Sequence, residues 1–172
     1  MKYSELKKLN APKILVEAIK LFGIKEVVGP QHNPTIINWA DELGLKKTYT
    51  NDEIPWCGLF VAICAKRASK EVVFNPLWAR NWAKWGTKVE TAMLGDVLVF
   101  SRGSGGHVGF YVGEDAKAYH VLGGNQGDQV SVVRIDKKRC IGIRRTTWTK
   151  SQPKEVIQVF LDAKGNLSTN EA

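Results

Sequence analysis

Helices followed by an antiparallel sheet, the α+β class, is what the apolar pattern of this chain predicts. Three observations carry the prediction. Apolar residues recur at helical spacing through the first half, and the period changes to alternation after Gly86. The alternating stretches are short and separated by Gly, Asp and Lys turns. The first helix begins at Pro12, presents Ile14, Leu15, Ala18, Ile19 and Phe22 on one side, and can close at Gly23. Asn33 reads as the N-cap of a second, with Pro34 next, running through Ile36, Ile37, Trp39, Ala40 and Leu43 to Gly44. A third spans about Cys57 to Ser69. A fourth is predicted from Asn75-Pro76, with Trp78, Trp82 and Trp85 on one stripe before Gly86 stops it. Strands are predicted at Asp96–Phe100, His107–Val112, Ala118–Leu122, Val130–Ile135 and Ile141–Thr147, and Val156–Leu161 offers a sixth.

The chain has 172 residues, 44% of them hydrophobic, enough for one compact domain. That domain is expected over residues 1–148, with residues 149–172 as an extension that adds a strand and ends in a disordered tail. Lys and Arg total 25 against 17 Asp and Glu, a net charge of +8. Such a surface favours encounter with polyanions. The basic residues are scattered or in short runs (Lys46-Lys47, Lys137-Lys138-Arg139, Arg144-Arg145), which suits a solvated face better than a groove that tracks phosphates. No nucleic-acid partner is expected. Cys57, Cys64 and Cys140 contain no C-x-x-C element, so neither a disulfide framework nor a zinc site is favoured, and no metal or cofactor is expected. Met1–Lys8 lacks an apolar leader, and no stretch approaches the roughly 18 apolar residues of a membrane span. The expectation is a monomer made in the cytoplasm, with no membrane insertion.

Two residues carry most of the chemistry. Cys57, in Pro55-Trp56-Cys57-Gly58, falls where a loop turns into a helix. Unpaired backbone N–H groups and the helix dipole favour a thiolate there. The competing reading is a small buried hydrophobe, which Cys64 and Cys140 fit. His107, after Ser104-Gly105-Gly106, enters a strand in which His107, Gly109 and Tyr111 face one way and Val108, Phe110 and Val112 the other. The glycines clear an approach, and an imidazole in reach of Cys57 can take its proton. A third element, Leu122-Gly123-Gly124-Asn125-Gln126-Gly127-Asp128, returns to the histidine's end of the sheet. Asn125 there is either the residue that orients the imidazole, with Asp128 in reserve, or simply part of a Gly/Asn turn. Trp56 and Gly58 beside the cysteine, and Gly106 beside the histidine, are read as lining a substrate cleft. Asp52 is read as a contact to a substrate ammonium or as a solvated turn residue. His32 and His120 are read as loop and packing residues. The scheme requires the Cys57 sulfur and the His107 ring to meet at a crevice open to solvent.

Five segments in order resemble a phage and bacterial family of cell-wall peptidases, of the CHAP and NlpC-type papain-like superfamily. They are Ile54–Val61, Ala79–Gly86, Gly95–Phe100, Gly106–Gly113 and Leu122–Asp128, within a match over roughly residues 11–148. The resemblance implies a papain-like fold and an endolysin-like cysteine hydrolase that cuts an amide bond of bacterial peptidoglycan after release or delivery to the wall. Carried over, Cys57 is the nucleophile, His107 the general base and acid, and Asn125 the orienting residue. Many relatives place an acid two residues before that Asn; here the position is Gly123, and no acidic fourth member is assigned. The alternatives are a papain-like toxin, deamidase or acyltransferase on a non-wall substrate, and a non-catalytic cationic wall-binding module.

Overall fold

The computed structural model describes residues 10–169 and 171. Residues 1–9, on which the expectation of no apolar leader falls, and residues 170 and 172 of the expected disordered end lie outside them. The chain forms α1 (Lys13–Lys20), α2 (Pro34–Glu42), α3 (Cys57–Arg67) and a 3-10 helix (Ala79–Lys84). The strands follow as β1 (Thr87–Lys88), β2 (Val97–Arg102), β3 (Gly105–Glu114), β4 (Ala118–Gly123), β5 (Ser131–Asp136) and β6 (Cys140–Arg145). The pairings between these six strands are antiparallel, in the order β1-β6-β2-β3-β4-β5. The fold is α+β with a six-stranded antiparallel sheet. Among the described residues no helix is long and apolar enough to cross a membrane.

Capping chemistry explains α2: the Asn33 side chain accepts from Thr35 N–H at 2.8 Å and Pro34 takes the first helical position. α3 is apolar on every side, and Cys57 through Ala65 are all buried. It is the central helix of a main core in which Val97, Val99, Val108, Phe110 and Val112 of the sheet meet Leu59, Phe60, Ile63, Trp39 and Leu15. Leu98, Phe100, Tyr111, Val121 and Ile135 form a second cluster on the opposite face of the sheet, with Val159 of the tail against it.

Three sequence expectations change. The fourth helix is absent as a regular α-helix: Asn75 takes a left-handed φ of +52°, and a 3-10 helix starts only at Ala79. The Asn81 amide donates to the carbonyls of Phe74 and Asn75 and the Trp82 indole to that of Pro76, so side chains hold this turn. Of the tryptophan stripe, Trp82 and Trp85 are buried while Trp78 is 65% exposed. Among its described residues the tail forms no sixth strand of its own. It touches the sheet through single bridges, Glu114 with Phe160 and Arg134 with Leu167, and the place of a sixth strand goes to Thr87–Lys88.

Candidate active site

Cys57 is the first residue of α3, after Trp56, which supplies no side-chain cap. The backbone N–H groups of Val108, Gly58 and Cys57 itself lie close enough to act on the thiol and favour its ionised form. Burial is the dominant influence and pushes the thiol pKa up; these N–H groups and the Arg102 cation pull it down without overcoming burial. The helix start favours a thiolate, as the sequence suggests, but in this form desolvation keeps the thiol protonated.

His107 pairs across the sheet with Phe100, so its side chain leaves β3 on the face of Phe100 and Tyr111, while Val108 and Phe110 face α3. The Val108 N–H that acts on the thiol belongs to the residue after the one that carries the imidazole. The imidazole Nε2 lies 2.9 Å from Gln126 Oε1. The Gln126 amide nitrogen donates to the carbonyls of Val121 and Ser131, which fixes the amide's orientation. Gln126 therefore offers only an oxygen to the ring, and Nε2 must carry the proton. That leaves a bare lone pair on Nδ1, which is buried and has no hydrogen-bond partner among the described residues. Burial lowers the His107 pKa to about 4; Glu171 and Gln126 oppose this, while Arg102 and Arg139 reinforce it. The ring is neutral at pH 7, the form that can accept a proton.

The solvent-open crevice is not present in this form. Cys57 is 3% exposed and His107 fully buried, and no hydrogen bond joins the ring to the sulfur. The expected cleft-lining residues are occupied by the protein itself. Trp56 is fully buried, its indole donating to Glu26 at 2.9 Å and its ring 6.0 Å from that of Trp39. A Cβ on Gly58 would lie 2.3 Å from the Pro76 carbonyl oxygen, so its missing side chain admits the 76–77 turn. The space at Gly106 is taken by Arg80, whose Cγ would sit 2.9 Å from a Cβ there. Asp52 is buried and accepts from Val27 N–H, Asn33 N–H and His32 Nδ1, clamping the 27–33 loop; these bonds, opposing burial, lower its pKa. His120 is buried against Asp115, which Arg134 also binds.

The histidine's partner is Gln126, and not its neighbour Asn125. Asn125 supplies the left-handed turn instead, with φ +56°, and Asp128 another at +60°. The residues missed in sequence are Gln126, Arg102, Arg139 and Glu171. Only Gln126 had a visible signal, an amide inside the loop already expected to orient the ring. Arg139 lies in a basic run of the kind that is usually solvated. Compared with known proteins, the chain matches no family model and no curated protein.

Proposed function

We propose that this chain is a papain-like cysteine hydrolase cutting an amide bond of bacterial peptidoglycan, with Cys57 as nucleophile, His107 as base and acid, and Gln126 as the orienting residue. The observation that carries the reading is the tautomer of His107. A neutral imidazole with Nε2–H held by a side-chain amide and a free Nδ1 lone pair is the arrangement a cysteine nucleophile needs. It occurs one residue from a backbone N–H that acts on the Cys57 thiol. The reading requires the buried pair to open and Nδ1 to reach the sulfur during turnover.

The steps balance without a cofactor. Nδ1 takes the thiol proton, and sulfur attacks the amide carbonyl. The oxyanion is held by N–H groups at the start of α3, those of Cys57 and Gly58. As the C–N bond breaks, the imidazolium protonates the leaving amine. Water, deprotonated by the same nitrogen, then cleaves the thioester to a carboxylate and restores the thiol. The net charge of +8 concentrates the enzyme on an anionic wall, an advantage that added salt removes.

The test uses purified sacculi, with turbidity and released amines as readouts. Wild type should clear them while Cys57→Ala binds equally and clears nothing. Equal clearing by both would remove the nucleophile assignment. Equal binding with no clearing by either would identify a wall-binding module.

A further inference from the structure

The described tail ends on a buried acid. Glu171 is fully buried, and both its oxygens are gripped at 2.8 Å by the fork of Arg139, Nη1 to Oε1 and Nη2 to Oε2. Arg139 is fixed in turn by the carbonyl of Ser101, at 3.1 Å from Nε, and that of Ser168, at 3.0 Å from Nη1. Ser101 pairs with Gly106, one step along the sheet from the pair Phe100–His107, so this grip lies at the histidine's end of β2 and β3. Two buried nitrogens in the same neighbourhood lack a hydrogen-bond partner among the described residues: His107 Nδ1 and Arg102 Nη1. Arg102, Arg139 and Glu171 all act electrostatically on His107, and Arg102 acts on Cys57 as well. A carboxylate is therefore already seated beside the base, and the Arg102 Nη1 donor is still unpartnered among the described residues. The tail that carries it also covers this face of the sheet, with Val159 on the second core cluster and Leu161 where a Cβ on Gly113 would lie.

We propose that Arg139, with Arg102, forms a carboxylate-binding subsite next to His107, that Glu171 fills it in this closed form, and that a peptide substrate displaces Glu171 with a free carboxylate close to the scissile amide. This deepens the hydrolase reading and rests on it. It names the substrate class, a peptide cut near a free acid end, and it gives the His107 side of the closed site its occupant, the chain's own Glu171.

The probe is N-acetyl-D-alanine, with N-acetyl-D-alanine amide as the control lacking the charge. Binding is followed by the His107 ring signals in NMR and by the shift in melting temperature, so no turnover is needed. Wild type should bind the acid weakly because its subsite is occupied. Glu171→Ala should bind it about tenfold tighter, since self-occupancy no longer competes. The amide should not bind, and the Glu171→Ala, Arg139→Gln double variant should lose the gain. Glu171→Gln, isosteric and uncharged, carries the same measurement if the alanine variant does not fold. Binding of the acid by both Glu171 variants no tighter than wild type, or no tighter than the amide, would overturn the subsite. The Cys57→Ala experiment on sacculi judges the hydrolase reading separately.

Discussion

Gln126 decides which nitrogen of His107 carries the proton, and a single atom of that amide does it. The Val121 and Ser131 carbonyls take the amide N–H groups, so only oxygen faces the ring. Replacing Gln126 by Glu puts an anion there. The neutral amide's steering is kept only if the carboxylate is ionised, and an ionised neighbour favours the imidazolium. Gln126→Glu should therefore raise the His107 pKa from about 4, and NMR titration of the ring should show it. Gln126→Leu leaves the buried Nε2–H unpaired and should destabilise the fold by about 1–3 kcal/mol in urea titration. A titration midpoint of His107 unmoved by Gln126→Glu would mean that the ring does not depend on this partner. Asn125 was the residue of this loop that its type and position recommended for the role. Side-chain reach within a turn depends on φ, and Asn125 at +56° turns the chain while its neighbour points back at the sheet.

α3 shows how much an element's pattern reveals and where it stops. Its helical period, its start at Cys57 and its apolar character are legible, and so are α1, α2 and five of the strands, because burial writes periodicity into sequence. The cover over its first turn is not legible. Asn75-Pro76 carries the marks of a helix start, yet its carbonyls are taken by the Asn81 and Trp82 side chains, and the resulting turn lies on Gly58. Whether a helix N-terminus faces a cleft or a loop depends on contacts distant in sequence, which local patterns do not encode. A Cβ at position 58 would meet backbone oxygens at 2.3 and 2.8 Å, from Pro76 and Leu77, and neither can rotate away. Gly58→Ala should cost about 1–3 kcal/mol in stability. Because the strain falls on the cover, it should also speed alkylation of Cys57 relative to Cys64, read by peptide mass spectrometry. Destabilisation without faster alkylation would show that the 76–77 turn does not gate the thiol.

Across the whole molecule the buried neutral histidine links folding to pH, and the sign is set by where the protons go. His107 titrates near 6.5 when unfolded and at about 4 when folded. Between those values the unfolded chain binds the extra proton, so stability rises with pH. The contribution is complete above about pH 6.5 and is lost on acidification toward 4. From about pH 7.5 to about pH 5 the loss attributable to this ring is on the order of 2 kcal/mol. The charged and polar groups that face it come from four segments: Arg102 on β2, Gln126 in the loop after β4, Arg139 before β6 and Glu171 in the tail. Arg139 and the ring itself hold Glu171 below its ordinary range against the effect of burial, as Arg134 above all does for Asp115. These depressed carboxylates add losses of the same sign that begin near the ordinary carboxylate range and grow below it, so the change between about pH 7.5 and about pH 5 belongs mostly to the histidine. Urea midpoints of wild type and His107→Gln at the two pH values should isolate the histidine. Glutamine can still donate to Gln126 and cannot charge, so the variant should lose about 2 kcal/mol less than wild type on acidification. Equal losses would mean that His107 is protonated as easily in the folded protein as in the unfolded chain. The neutral Nδ1 base, and the hydrolase chemistry proposed on it, would then have no foundation.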